Sequence, residues 1–142
     1  MAYLRMRGIT KMYPENNVLA NAEVDFEVRR NEIHALVGEN GAGKSTLMKI
    51  LYGLERPDRG GIELEGRPVH IGSPLEAGRL GIGMVHQHFR LIPDFTIAEN
   101  LVLGVEPVRC GLFLDREKAQ ASVRAVIQEY GFSLDPSLRV RE

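Results

Sequence analysis

The sequence predicts an α/β domain with a β-rich first part and a helical second part. Three observations favour this fold class. Apolar residues alternate with acidic ones near the N-terminus, a glycine-rich loop links a short apolar segment to a helical pattern, and helix-capping residues recur later in the chain. Of the 142 residues, 44% are hydrophobic and 26% are charged, so the chain can bury a core.

Three strands are predicted around the first half of the chain. Leu4, Met6 and Ile9 lie among polar residues in a weak strand pattern. Residues 24–28 alternate strictly between apolar and acidic side chains, which is typical of a strand with one buried face. Residues 62–66 follow a proline- and glycine-containing turn and indicate another short strand and its end.

A buried parallel strand is predicted at residues 33–37, which are nearly all apolar. This segment leads through the glycine-rich loop into residues 44–52. There, Leu47, Ile50, Leu51 and Leu54 are spaced for one helical face, which predicts an amphipathic helix. The order strand, loop, helix is the setting in which a phosphate-binding loop is expected.

The second half of the chain contains three helix-start signals. Residues 73–76 and 96–99 each place a hydroxyl side chain three positions before a glutamate, as a capping box does. Residues 82–85 indicate another short apolar strand between these two starts. Asp115 can cap a longer helix with an apolar stripe formed by Ala119, Val123, Val126, Ile127 and Tyr130.

Strands are predicted mostly before Gln87 and helices mostly after it. We therefore expect two parts. Residues 1–88 form a β-rich part that contains the glycine-rich loop, and residues 89–142 form a helical part. Pro93 lies in the link between them.

The glycine-rich loop fits the pattern G-x-x-x-x-G-K-[ST]. Glycines let the backbone wrap closely around a phosphate, and successive N–H groups at a helix N-terminus form an anion nest. A plain glycine-rich turn is the alternative interpretation, but a chance match at all four fixed positions is rare. The loop reads Gly38-Glu39-Asn40-Gly41-Ala42-Gly43-Lys44-Ser45.

Each polar residue at the end of the loop has an expected role. Lys44 supplies positive charge for the β- and γ-phosphates and is the predicted catalytic cation. The Ser45 hydroxyl is a hard oxygen ligand that suits Mg²⁺, and Thr46 adds a hydroxyl near the α-phosphate. The rest of the predicted nucleotide-binding loop consists of Asn40, Gly41, Ala42 and Gly43.

Two stretches of the chain resemble ABC ATPases. The loop with its following threonine, Gly-Glu-Asn-Gly-Ala-Gly-Lys-Ser-Thr, is similar to the Walker A motif of that family. Residues 81–101 resemble the family's Q-loop and the segment after it, and their His-Gln-His-Phe and Thr-Ile-Ala-Glu-Asn sequences are most similar to bacterial importers of simple sugars and nucleosides. The resemblance covers the chain up to about residue 104.

The resemblance implies a P-loop NTPase fold of ABC type. It would have an N-terminal antiparallel β part and the start of a helical subdomain, and it would be truncated before the signature motif. Gln87 would lie at the γ-phosphate and Mg²⁺, with a catalytic and metal-binding role, and Tyr13 would stack on adenine. A solvated loop glutamine and an ordinary core or edge tyrosine are the alternatives.

His86 and His88 flank Gln87 and raise the question of a metal pair. No cysteine or carboxylate stands at ligand spacing, so the sequence shared with the family explains them better.

By the same resemblance, hydrolysis also needs a signature motif, a Walker B strand and a switch histidine, and the 142 residues contain none of these. We therefore expect the chain to bind ATP and Mg²⁺ but to hydrolyse ATP poorly, while the intact protein would be an ATPase. The strand at 33–37 would lack its neighbours, so we expect self-association. Folding back of residues 133–140 over that strand is the alternative.

Composition limits the partners. A net charge of −1 argues against nucleic acid as a partner, and no apolar run approaches the length of a spanning helix. Cys110 is single and is expected to be semi-buried rather than nucleophilic. The resemblance implies a peripheral protein on the cytoplasmic face of the cell membrane. Its partners would be transmembrane permease subunits and a second ATP-binding domain.

Three other functions remain open from the residues. A chromosome-maintenance or DNA-repair ABC ATPase would usually carry a coiled coil or zinc element after the Q-loop. A P-loop kinase or GTPase would need a substrate lid or a base-reading motif. A non-catalytic nucleotide-binding module is also compatible with these 142 residues.

Overall fold

The computed structural model describes residues 2–86 and 91–141. They divide into two compact units, one ending at Val85 and the other beginning at His86. The predicted boundary after residue 88 falls among residues 87–90, outside the described residues, and stays a prediction.

The first unit is built on a four-stranded antiparallel sheet with the order β2-β1-β3-β4. A 3-10 turn at Pro14–Asn16 joins the two longest strands. The predicted strands around Leu4–Ile9, residues 24–28 and residues 62–66 are confirmed, although the third begins earlier, at Arg59 inside the predicted turn, and the last strand was not predicted. The four strands are β1 (Ala2–Tyr13), β2 (Val18–Arg29), β3 (Arg59–Leu64) and β4 (Arg67–Val69).

A helix, α1 (Lys44–Leu51), buries its apolar face in the core of this unit, as predicted, except that Leu54 lies beyond the end of the helix and is 46% exposed. Leu47 is 2% exposed and Ile50 is fully buried, so the start of the helix is held firmly by the core. The other buried members of this core are Leu4, Met6, Ile9, Ile62, Ile71 and Ala77.

A short helix, α2 (Pro74–Arg79), follows the sheet and begins where the sequence indicated. The Ser73 hydroxyl accepts a hydrogen bond from the Glu76 N–H at 3.3 Å. The Glu76 carboxylate, however, accepts from the Gly72 N–H at 2.7 Å. Half of the predicted capping box is therefore present, and its second bond is displaced by one residue.

The predicted buried strand at residues 33–37 is wrong. These residues form no strand, and Ile33 and Val37 are 101% and 88% exposed. A parallel strand is stable only when neighbours pair with its backbone and cover its faces. No strand in the described part of the chain pairs with this segment, so most of its apolar surface stays exposed.

The predicted strand at residues 82–85 is also absent. Val85 is 80% exposed, while Ile82 packs against the core of the first unit. The Ile82 N–H donates to the Ala77 carbonyl at 2.9 Å, so the segment closes α2 rather than entering a sheet.

The second unit contains two helices and a small hairpin. Helix α3 (Ile97–Val102) begins with a complete capping box between Thr96 and Glu99, as predicted. Helix α4 (Arg116–Glu129) begins at Asp115, whose carboxylate accepts from the Lys118 N–H at 3.0 Å. The unpredicted hairpin consists of β5 (Val108–Arg109) and β6 (Phe113–Leu114).

Helices α3 and α4 share a small core, and this core corrects the predicted stripe on α4. Val126 and Tyr130 are 47% and 68% exposed, because the short helix α3 covers only part of the apolar face. The buried residues are Ala98, Val102, Ala119, Val123 and Ile127. Cys110, expected to be semi-buried, is exposed in the hairpin turn with a φ of 54°.

The C-terminal segment bonds to the region around the start of α3. The N–H groups of Ile97 and Ala98 donate to the carbonyls of Leu138 and Pro136 at 2.9 and 3.0 Å. Thr96 also forms an isolated β-bridge with Arg139. The backbone groups of this segment are therefore used inside the second unit.

Candidate nucleotide-binding site

The glycine-rich loop ends on α1, which begins at Lys44. Gly43 is the N-cap residue of this helix, with a φ of 81°, and its carbonyl accepts the first helical hydrogen bond from Leu47 at 2.9 Å. Because the first N–H groups of a helix have no partner inside the helix, they are directed out of its N-terminus. This is the geometry in which backbone groups bind an anion.

Two glycines of the loop adopt backbone conformations that other residues rarely adopt. Gly41 has a φ of 85° and Gly43 a φ of 81°. At Gly43 there is also no room for a side chain, since a Cβ atom there would lie 2.1 Å from the Ala20 carbonyl oxygen. The loop therefore needs glycine at Gly43 for two independent reasons.

The Lys44 ammonium is folded back onto the loop. Its Nζ donates to the carbonyls of Gly38 and Glu39 at 2.6 and 2.7 Å. The Ala42 N–H also donates to the Glu39 carbonyl, at 3.2 Å. A positive charge thus lies at the loop, held by neutral carbonyls that a phosphate can replace with stronger, charge-assisted hydrogen bonds.

Ser45 and Thr46 occupy the first turn of α1, where Ser45 is exposed and Thr46 is half-buried. Among the described residues there is no group of three His, Cys, Asp or Glu side chains that could hold a metal ion. A single exposed hydroxyl suits Mg²⁺, which is usually held by few protein ligands together with substrate phosphates. The loop therefore fits a metal that arrives with a nucleotide.

Tyr13 is the last residue of β1 and is half-buried. The Lys11 ammonium lies 5.5 Å from the centroid of its ring. Lys11 pairs with Asn21 in the β1–β2 ladder, and Asn21 in turn donates to the Gly43 carbonyl at 3.3 Å. The β1–β2 ladder therefore connects Tyr13 to the loop. Along β1, Tyr13 lies about 7 Å from Lys11, the residue opposite Asn21.

Gln87 and His88 lie outside the described residues, so the predicted position of Gln87 at the γ-phosphate stays a prediction.

Sequence reasoning missed one residue at this site. Asn21 is 4% exposed and directs its side chain at Gly43. Strict alternation places residue 21 on the outward face of β2, opposite to the face of Val24. The structure departs from alternation because Glu23 has a φ of 52° and the pairing register shifts nearby. An asparagine within a strand pattern was the available signal.

A cavity of about 590 Å³ elsewhere in the first unit contains none of the predicted site residues. It is open and lined by side chains that neutralise one another, such as Arg5 with Glu63 and Arg30 with Glu65. Among the described residues that line it, this cavity carries no group suited to a phosphate that is not already paired in this way, whereas the loop has the chemistry that recognises phosphate. The loop is therefore the candidate functional site.

Comparison with known proteins agrees with this geometry. The family description for ABC transporters matches residues 22–142, which is most of the chain. The chain belongs to the ABC transporter family. The crystal structure of a nucleotide-free ATP-binding cassette from an ABC transporter superposes with a TM-score of 0.81 at 22% identity, covering 100% of this chain and 59% of that one. This likeness confirms the predicted ABC-type fold.

Similar family members are named as import proteins. The chain is 47% identical to the guanosine import ATP-binding protein NupO of Bacillus subtilis and 50% identical to the ribose import ATP-binding protein RbsA 1 of Rubrobacter xylanophilus. Each alignment covers 98% of this chain but only 27% of the relative.

Within residues 2–86 and 91–141, no helix has the length and apolarity needed to cross a membrane.

Proposed function

We propose that this chain binds Mg·ATP through the loop at residues 38–46, as part of the ATP-binding component of an importer for a simple sugar or a nucleoside. The observation that carries the proposal is the Lys44 ammonium held at a loop that leads into a helix N-terminus. The import proteins among its ABC relatives favour a role in import over one in DNA repair or chromosome maintenance.

In this proposal the residues of the loop divide the work. The backbone N–H groups around Gly41 and Gly43 surround the phosphates, and Lys44 leaves its two carbonyl partners to neutralise the β- and γ-phosphate charge. Ser45 and, by resemblance, Gln87 would hold Mg²⁺. When bound, the metal would supply positive charge that stabilises the negative charge developing in phosphoryl transfer.

Tyr13 is proposed to stack on the adenine ring. Its half-buried ring lies on the strand that is paired with the loop-contacting strand β2. The Lys11 ammonium over the ring is also paired with Glu55 and Asp58 at 3.8 and 3.7 Å, so it supports the ring without adding net positive charge. Stacking of this kind contributes about 0.5–1.5 kcal/mol beyond area burial, and Tyr13→Phe should preserve it while Tyr13→Ala should not.

The intact protein is proposed to be an ATPase that works on the cytoplasmic face of the membrane with permease subunits and a second ATP-binding domain. For the 142-residue chain we propose nucleotide binding with little hydrolysis. Its sequence has neither the signature motif nor the Walker B carboxylates that position the attacking water in this family.

Self-association of the chain is proposed through residues 33–37. Their apolar side chains and strand-forming sequence are exposed in the first unit, and such a segment recruits other strands. Light scattering across a dilution series should show oligomers that Val37→Lys weakens. A monomer at high concentration would contradict this proposal.

The experiment for nucleotide binding compares two lysines of α1. Lys44→Ala removes a charge-assisted contact worth about 1.5–3 kcal/mol, so affinity for Mg·ATP should fall roughly tenfold to a hundredfold. Lys49→Ala removes an exposed lysine from the other end of the same helix and should leave affinity unchanged. Equal affinity of wild type and Lys44→Ala would refute the assignment of the loop.

A further inference from the structure

Asn21 is a buried polar residue of the first unit, with 4% of its surface exposed. Its Nδ2 donates to the Gly43 carbonyl at 3.3 Å. Its Oδ1 is buried and accepts no hydrogen bond from the described residues. A buried unpaired oxygen destabilises a protein, and an apolar residue of similar size would avoid that cost. The amide is therefore best explained by what its N–H group does at Gly43.

The backbone of β2 is irregular on both sides of Asn21. Between Lys11 and Met12 the pairing partner passes from Asn21 to Leu19, so Ala20 has no opposite residue and forms a bulge. On the other side, Glu23 has a φ of 52°. The bulge brings the Ala20 carbonyl and the Asn21 amide against Gly43, at 2.1 and 2.8 Å from where its Cβ would be.

The bond from Asn21 acts on one peptide plane. In a trans peptide the carbonyl and the following N–H point in opposite directions. The Gly43 carbonyl accepts from both Asn21 and Leu47, so its direction is fixed, and the Lys44 N–H of the same peptide must point out of the helix N-terminus. That is the direction in which an anion nest needs its donors.

We propose that Asn21 is a positioning residue for nucleotide binding, which sets the orientation of the Gly43–Lys44 peptide from strand β2. The inference rests on the proposed binding of Mg·ATP to the loop. It assigns a role in the site to a residue of the antiparallel sheet. The amide orientation follows from the partner, because a rotated amide would place two oxygen acceptors against each other.

The test separates positioning from stability. In Asn21→Leu the donor and the unpaired oxygen are both removed, so affinity for Mg·ATP should fall roughly threefold to tenfold while the urea midpoint stays the same or rises. Affinity is measured by competition with a fluorescent ATP analogue. Ile9→Val, a core change in the neighbouring strand, is the matched control and should lower the midpoint without changing affinity.

Asn21→Asp provides a second variant of the same shape. Its ionised carboxylate cannot donate to the Gly43 carbonyl, whereas the protonated acid can. Affinity relative to wild type at the same pH should therefore be low at pH values where the acid is ionised and should recover on acidification. The urea midpoint of the variant is followed over the same pH range: recovery of affinity at a constant midpoint assigns it to the donor, whereas recovery of midpoint and affinity together would mark Asn21 as structural.

The outcomes distinguish the two proposals. If Asn21→Leu binds Mg·ATP as wild type does while Lys44→Ala binds weakly, the role of Asn21 is refuted and the proposed function stands. If Asn21→Leu loses midpoint and affinity together, and Asn21→Asp regains affinity only where it regains its midpoint, Asn21 is structural only. If wild type itself does not bind Mg·ATP, the proposed function fails and the role of Asn21 fails with it.

Discussion

Two apolar stretches of the first unit have similar compositions and opposite surroundings. In β1, Leu4, Met6 and Ile9 are at most 8% exposed, whereas Ile33 and Val37 are almost completely exposed. β1 is central in its sheet and pairs with β2 and β3 along its two edges, while residues 33–37 have no strand partner in the described part of the chain. Apolar sequence alone therefore does not make a strand, because the backbone needs partners as well.

The two ends of the phosphate loop are supported in different ways. Its second end is anchored by the buried face of α1 and by contacts of Gly43 with β2. Its first end continues directly from the exposed segment and is held by the hydrogen bonds of Lys44 and Ala42 to nearby carbonyls. The helix side of the site is thus preorganised, and the other side depends on local bonds.

The largest effect is expected when isoleucine is changed to alanine in β1, and the same change in residues 33–37 gives the comparison. Ile9→Ala removes a fully buried side chain and should lower the free energy of unfolding by about 2–5 kcal/mol. Ile33→Ala changes an exposed side chain and should cost less than about 0.5 kcal/mol. Urea unfolding followed by circular dichroism measures both. Similar losses at both positions would mean that residues 33–37 are packed.

A second pair of substitutions compares the two glycines of the loop. Gly43→Ala combines an unfavourable positive φ with a clash against the Ala20 carbonyl. We therefore expect the free energy of unfolding to fall by about 2–3 kcal/mol and the affinity for nucleotide to fall as well. Gly41→Ala has the same kind of φ but open space around the Cβ, so only the cost of about 1–2 kcal/mol for φ is expected. Equal costs would show that β2 does not support the loop.

These results indicate how far the sequence could predict the molecule. The capping box at Thr96, the cap at Asp115 and the α1 helix were predictable because they depend on neighbouring residues. The state of residues 33–37 was not, since it depends on strands far away in sequence. The loop itself was predicted from its motif, but Asn21 was not, because a bulge and a positive φ disturb the alternation of β2.

A third prediction concerns the second unit. Its C-terminal segment, residues 136–141, is irregular like residues 33–37, but backbone hydrogen bonds hold it. Thr96 caps α3 through a 3.1 Å bond from the Glu99 N–H, and its neighbours bond to the C-terminal segment. Thr96→Ala should destabilise this unit by about 1 kcal/mol. Hydrogen exchange should then show faster opening of α3 with unchanged β1 amides. An unchanged α3 would contradict the role of the cap.

The smallest expected effect is a pH dependence of the stability that the Thr96–Glu99 cap gives to α3. The Thr96 N–H, which donates to the Glu99 carboxylate at 2.9 Å, lowers the pKa of Glu99 below its ordinary value of 4.5. A lowered pKa stabilises the fold above the unfolded pKa, and this contribution is lost as the pH falls through the folded pKa. Protection of α3 should therefore decline below about pH 4.5, and Glu99→Gln should remove that dependence. A decline of equal size in the variant would assign it to other groups.

Hydrogen exchange of the wild-type chain with and without Mg·ATP tests the central claim most directly, since it reports on the loop and its two flanks together. At a dilution at which the chain is monomeric and without nucleotide, amides of β1 and of α1 from Leu47 onward should be protected, and those of residues 33–46 should exchange rapidly. With saturating Mg·ATP, amides of residues 39–46 should become protected, and those of 33–37 should remain fast. Exchange at residues 39–46 that is unaffected by saturating Mg·ATP would contradict the account.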